Sequence, residues 1–264
     1  MSLLLVNVGN TCTTIARTGR ADAIVVLGRQ VGGYCASPRR TSRLVSDWVT
    51  RHRIHDAVLC SVVPAQTRFW QSILKDLLGR QPLIIGPDIE LNVTLAYPQP
   101  ETIGADRQAD VCAAVRLYGS PVLVVDIGTA ATFNMVRAGG RFVGGAIAPG
   151  PALFTQYLAD RTAQLPLVAL PSRRVPRIGR NTRDAIRLAA GVGYRGMVTA
   201  MIAHILGGAK GRVRVVVTGG YARRVMGREE NRCILDPLLT LRGLAFAYAL
   251  NRVELPMRAL GGRS

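Results

Sequence analysis

Gly104-Ala105-Asp106-Arg107 sets a carboxylate and a guanidinium side by side behind a glycine. Such a pair can take a proton from a hydroxyl and neutralise an anion, the two demands of phosphoryl transfer. Asp106 also stands at a predicted helix start, so a carboxylate capping the first turn is the plainer alternative. The upstream Tyr97 adds a phenol to the set. Three other segments combine glycine with short polar residues at the end of an apolar run: Gly9-Asn10-Thr11-Cys12-Thr13, Gly128-Thr129-Ala130-Ala131-Thr132 and Thr218-Gly219-Gly220. Turns of this composition aim backbone N–H groups and hydroxyls at an anion and its cation. One Gly-Gly at a strand end is ordinary turn chemistry, but three such turns in matching places point to nucleotide binding.

The first two of these turns belong to a repeat. Leu5-Val6-Asn7-Val8-Gly9-Asn10-Thr11 returns as Val124-Val125-Asp126-Ile127-Gly128-Thr129, with Asn7 and Asp126 offset by 119 residues in a chain of 264. Each copy runs on into a hairpin, turning at Gly19-Arg20 in the first and Gly139-Gly140 in the second. Reuse of a whole supersecondary unit divides the chain into halves, 1–118 and 119–264. In the first half, alternation predicts strands at 3–8, 13–17, 23–27, 57–62 and 83–85. Helical spacing predicts helices at 42–52, 69–78 and 106–117, with Leu44, Val45, Trp48 and Val49 on one face of the first. The second half repeats the plan: strands at 122–127, 132–137, 141–147 and 213–217, a helix from Pro151 to Leu158, a long helix from Asn181 to Ile205 and a closing helix over 238–250. Ile186, Ala189, Ala190 and Val198 face the core in that long helix.

Composition narrows the function classes. With 48% hydrophobic residues the chain can build two cores, and no run approaches the roughly 18 apolar residues of a membrane span. Met1 leads straight into a strand pattern, so no leader is expected and the location is cytoplasmic. The five cysteines (Cys12, Cys35, Cys60, Cys112, Cys233) are scattered without a CxxC spacing, which indicates neither a disulfide framework nor a zinc site. The net charge of +18 is carried by arginine, with Lys75 and Lys210 the only lysines. Arg39-Arg40, Arg51, Arg53, Arg173-Arg174 and Arg223-Arg224 are dispersed and lack interleaved aromatics, so nucleic acid is not an expected partner. A solvated arginine-rich surface and attraction of an acidic small molecule or partner both account for the excess.

Doubled βββαβαβα is the plan of the actin-like ATPase and sugar-kinase superfamily, duplicated ribonuclease H-like domains with nucleotide in the cleft between them. The motifs narrow the likeness further. Gly-Asn-Thr (9–11), Gly-Ala-Asp-Arg (104–107), Asp-Ile-Gly-Thr-Ala (126–130), Gly-Gly-Ala-Ile-Ala-Pro-Gly (144–150), Thr-Ala-Gln-Leu-Pro (162–166), Ile-Gly-Arg-Asn-Thr (178–182), Val-Thr-Gly-Gly (217–220) and Leu-Thr-Leu-Arg-Gly-Leu (239–244) together resemble type III pantothenate kinase. The resemblance spans almost the whole chain. It implies ATP-dependent phosphorylation of pantothenate, the first step toward coenzyme A, with Asp106 as general base. It assigns pantothenate to Tyr97, Gly104, Ala105, Asp106, Arg107 and Thr182, and ATP with Mg²⁺ to Asn7, Val8, Gly9, Asn10, Thr11, Cys12, Thr13, Thr14 and Thr129. By the same likeness Asp126 binds a monovalent cation, K⁺ or ammonium, and the enzyme is a homodimer with the 181–205 helix as candidate interface.

One residue departs from the family pattern: Asn7 stands where members usually carry Asp. Asn keeps the shape but not the charge. Hard divalent cations prefer anionic oxygen, and a charge-assisted interaction is worth about 1.5–3 kcal/mol, on the order of tenfold to a hundredfold in rate. Cys12, where the family often has Asn, is a milder change. The expectation is a weakened kinase; the alternative is a degenerate member with a retained nucleotide cleft, acting as an accessory transcriptional regulator like the Bvg accessory factors of this family.

Overall fold

The computed structural model describes residues 2–19, 23–31, 37–171, 175–208, 211–227 and 233–252. Arg20, Cys35, Arg173-Arg174 and Lys210 lie outside the described residues. In chain order the elements are β1 (Ser2–Val8), β2 (Cys12–Thr18), β3 (Ile24–Val31), α1 (Pro38–His52), β4 (Ile54–Ser61), α2 (Pro64–Leu78), β5 (Leu83–Ile84), β6 (Thr94–Leu95) and α3 (Ala105–Tyr118). There follow β7 (Val122–Ile127), β8 (Ala130–Arg137), β9 (Arg141–Pro149), α4 (Pro151–Arg161), α5 (Thr182–Leu188), α6 (Tyr194–Gly207), β10 (Arg214–Thr218), α7 (Ala222–Met226), β11 (Ile234–Leu235) and α8 (Leu239–Asn251).

The repeat in the sequence is a repeat in topology. One sheet has the order β3-β2-β1-β4-β5 and the other β9-β8-β7-β10-β11, with β6 added outside β9. In both, the first strand is antiparallel to the second and parallel to the fourth. Asn7 faces Thr14 and Cys60 across its neighbours, and Asp126 faces Thr132 and Thr218. The two residues therefore occupy the same station, the carboxyl end of the central strand.

The chain divides into two compact units, residues 1–94 with 98–117 and 238–264, and residues 95–97 with 118–237. α8 groups with the first unit. Within that unit β1 is buried on both faces, as a central strand with crossovers must be. Leu3 and Leu5 pack with Ala105, Ala109, Leu241 and Leu244, and Leu4, Val6 and Val8 pack with Val45, Trp70 and Leu74. Since side chains alternate along a strand, Asn7 shares the α3 and α8 face with Leu3 and Leu5.

Several expectations need correction. Leu44 does not join Val45, Trp48 and Val49 on the core side of α1 but is exposed. The helix predicted over 181–205 is interrupted by a π-helical turn at Ala189–Gly193, which shifts the helix phase and leaves Ala189 exposed while Ile186, Ala190 and Val198 stay buried. The segment after Tyr97, expected as loop, holds a 3₁₀ turn at Pro100–Thr102. β6, α7 and β11 carry no periodic signal because each is five residues or shorter.

A buried carboxylate fastens α8 to the first sheet. Asp56 Oδ2 accepts hydrogen bonds from Arg80 (3.1 Å), Tyr248 Oη (2.9 Å) and Arg252 (2.6 Å), and Oδ1 accepts from the Ala57 N–H (2.8 Å). Burial, and next the hydrogen bond to Asp56, push the Tyr248 phenol up to about 12, so it remains a donor. Removing one partner of such a cluster strands the others. Asp56→Ala should cost about 3 kcal/mol of stability, read as a lowered denaturation midpoint in urea at unchanged slope.

Candidate active site

In the first unit the chemistry gathers at the carboxyl ends of β1 and β4. The β1–β2 turn is Gly9-Asn10-Thr11, closed by the Gly9 N–H on the Cys12 carbonyl at 3.0 Å, and Asn10 and Thr11 are exposed at its tip. Cys12 is partly exposed, Thr13 and Thr14 are buried, and the Thr14 hydroxyl accepts from Arg29 Nε at 3.3 Å. Val8 is core. Only the backbone of Val8 and Thr13 is therefore near the turn's open side.

Asp106 lies in the first turn of α3, next to Gly104, whose carbonyl accepts the Gln108 N–H at 3.1 Å. Its Oδ1 accepts the Arg107 N–H at 2.7 Å, so it does bind the helix start, as the plain capping reading required. It does so at a cost. Burial raises the pKa of Asp106, and the Arg107 N–H and guanidinium offset only part of that. A carboxylate held above its ordinary range at a helix N-terminus is suited to receive a proton. Cys60, beside Asn7 in the β1–β4 register, is pushed up by burial and then by the charges of Asp106 and Asp110. Asn7, Cys60 and Asp106 thus lie toward one face of the sheet. Ala105 and Arg107 are buried alongside.

The second unit holds the matching turn. Gly128-Thr129 is one residue shorter than its counterpart and closes in the same way, Gly128 N–H to Ala130 carbonyl at 2.9 Å. Gly219 has φ +96°, and a Cβ there would lie 2.2 Å from Asp126 Oδ1 and 2.5 Å from the Ile127 carbonyl oxygen. Only glycine lets the β10 turn pass this close to the carboxylate. Gly150, which the sequence marks only as the end of a motif, locks the same turn: its N–H donates to Thr129 O at 2.9 Å, and a Cβ would meet Gly128 O at 2.2 Å. Tyr194 Oη donates to the adjacent Pro149 carbonyl at 2.8 Å. Tyr97 belongs to this unit as well, stacked on Phe142 with ring centroids 6.2 Å apart. Thr182 is exposed at the start of α5, behind Asn181, whose side chain accepts the Asp184 N–H.

Within the second unit the donors at Asp126 and its turn are carboxylate, hydroxyl and carbonyl oxygens, a set for hard cations. Among the described residues no three His, Cys, Asp or Glu cluster as a self-sufficient metal site. A cation here would need phosphate oxygens to complete its shell, as Mg²⁺ at nucleotide sites does. Among the described residues no helix is long and apolar enough to cross a membrane.

Two sheets of one strand order, each with its central strand ending in an Asn or Asp that leads into a glycine turn, define the duplicated ribonuclease H-like fold of the actin-like ATPases and sugar kinases. Solved structures agree. A Baf-family protein from Campylobacter jejuni superposes with TM-score 0.56 at 16% identity, covering 93% of this chain and 97% of that one. The activator of 2-hydroxyisocaproyl-CoA dehydratase from Clostridium difficile, solved with ADPNP bound, gives 0.52 at 10% identity over 99% and 100%. The type III pantothenate kinase family model matches residues 3–204. Type III pantothenate kinase of Methylacidiphilum infernorum is 36% identical over 246 residues, 92% of this chain and 86% of that protein. That of Syntrophotalea carbinolica is 32% identical over 258 residues, 95% and 99%. The chain belongs to the type III pantothenate kinase family.

Proposed function

We propose that Asp106 is the general base of the reaction this chain catalyses, ATP-dependent phosphorylation of pantothenate to 4'-phosphopantothenate in coenzyme A biosynthesis. The observation that carries the assignment is the raised, half-buried Asp106 carboxylate at the start of α3, on the sheet face it shares with Asn7. Asp106 takes the proton of the terminal hydroxyl, the hydroxyl oxygen attacks the γ-phosphorus, and ADP leaves. Arg107 pairs with the pantothenate carboxylate, and Gly104, Ala105, Tyr97 and Thr182 complete its site. The exposed turn of Gly9, Asn10 and Thr11, flanked by Asn7, Val8, Cys12, Thr13 and Thr14, binds ATP phosphates, as does Thr129.

Asn7 and the phosphates would hold Mg²⁺, and Asp126 with neighbouring carbonyls a monovalent cation; bound there, the ions neutralise charge on the transferring phosphoryl group. Exposed apolar side chains on α4 (Leu153, Phe154, Tyr157) and at Ile178 and Val192 support a homodimer. Free thiols at Cys12, Cys60 and Cys112 fit a cytoplasmic enzyme. A coupled assay of ADP release with ATP, pantothenate and Mg²⁺ tests the reading. Turnover should require pantothenate and rise when Na⁺ is replaced by K⁺ or ammonium. Absence of pantothenate-dependent turnover, in the wild type and in Asn7→Asp alike, would refute it.

A further inference from the structure

The Leu239-Thr240-Leu241-Arg242-Gly243-Leu244 motif touches no substrate group in the mechanism above, yet two of its residues meet the helix that carries the base. Thr240 Oγ1 donates to Asp110 Oδ1 at 2.7 Å. Asp110 is 1% exposed and lies one helical turn beyond Asp106 on α3, so the two carboxylates share a helix face. Three residues further along α8, Gly243 lies against Ala109: a Cβ at 243 would be 2.0 Å from the Ala109 carbonyl oxygen and 2.5 Å from its carbon. The same face of α8 packs Leu241, Leu244 and Ala245 with Ala105 and Ala109. Close main-chain packing and a buried charge-assisted hydrogen bond therefore fix α3 in translation along its axis and in rotation about it, within its first two turns.

We propose that Thr240 and Gly243 of α8, through Asp110 and Ala109, are positioning residues that set where Asp106 stands for proton abstraction. The proposal rests on the assignment of Asp106 as the base. The physical reason for a brace here is that the first turn of a helix has no preceding turn to hold it, while Asp106 must meet a hydroxyl within hydrogen-bond reach. A displacement near 1 Å can cost on the order of a hundredfold in rate. A hydroxyl and a glycine on a neighbouring helix supply a fixed register that apolar packing alone does not give.

Thr240→Val keeps shape and volume and removes the donor. It should lower kcat roughly tenfold or more, leave KM for ATP unchanged, and be rescued by Thr240→Ser, which returns the hydroxyl. Gly243→Ala should lower kcat further, but it can also disturb folding, so Thr240→Val carries the test. Arg252→Ala, which loosens the far end of α8 at Asp56, is the control for general destabilisation: it should lower the melting temperature without changing kcat at 20 °C. Wild-type kcat in folded Thr240→Val, or an equal loss in Thr240→Ser, would overturn the proposal. If Asp106→Asn is inactive and Thr240→Val is not impaired, the brace fails and the base assignment stands. If Asp106→Asn retains turnover, the base assignment fails first.

Discussion

Asp106→Asn is expected to lower kcat for pantothenate phosphorylation by about 10²- to 10⁴-fold, the range for loss of a positioned general base. Affinity for an ATP analogue should stay within roughly twofold, because an effect confined to the chemical step leaves ground-state binding intact. The raised pKa of Asp106 adds two signatures. Activity needs the ionised carboxylate, so in the wild type kcat/KM falls as pH drops through the raised value, above the ordinary carboxylate range. Stability follows from linkage. A carboxylate whose folded pKa is raised binds its proton more readily folded than unfolded, so ionisation at neutral pH opposes folding. Asn removes that cost. The variant should melt higher than wild type near neutral pH, and the difference should shrink as pH falls through the raised folded-state pKa and be gone below the ordinary carboxylate value. An inactive variant that melts lower would signify structural damage, and an active one would refute the assignment.

The parts of the fold visible in the sequence are those encoded by local periodicity and by the repeat. The central strands β1 and β7 announce themselves as apolar runs ending in Asn or Asp, and the paired register of Asn7 with Cys60 and Asp126 with Thr218 confirms that they are equivalent. What stayed hidden depends on partners distant in the chain. Asp56 reaches Tyr248 across 192 residues and Arg252 across 196, so nothing near Asp56 marks it as the anchor of α8. The membership of α8 in the first unit, against the simple halving of the chain, has the same origin in its packing on β1 and α3. The π-helical turn between α5 and α6 leaves helical spacing intact on either side and changes only its phase. Of the site, residue types and order were readable, but exposure was not. Burial of Val8 and Thr13 restricts them to backbone roles, and the close approach of Gly219 to Asp126 joins strands far apart in the chain.

Asn7→Asp is expected to raise kcat/KM for ATP about tenfold to a hundredfold, the gain from giving a hard cation a charged oxygen in place of a neutral amide. The station argues for this. Asn7 ends β1 as Asp126 ends β7, each beside a glycine turn closed by the same hydrogen bond. The second unit has a carboxylate there and the first has an amide. On its sheet face Asn7 neighbours Cys60, whose thiol feels the charge of Asp106, so a new carboxylate enters a site that already holds one. Without a divalent cation the two negative charges repel and the variant should be less stable than wild type. With Mg²⁺ and ATP the ion offsets that repulsion, since a hard cation gains most from an anionic oxygen. Mg²⁺ with a nonhydrolysable ATP analogue should therefore raise the melting temperature of Asn7→Asp more than that of wild type, and the Mg²⁺ concentration for half-maximal turnover should fall. Both shifts without a gain in kcat would place the role of residue 7 in holding MgATP before the chemical step. Neither shift, with wild-type kcat/KM, would mean that Asn7 already supplies all that this site requires.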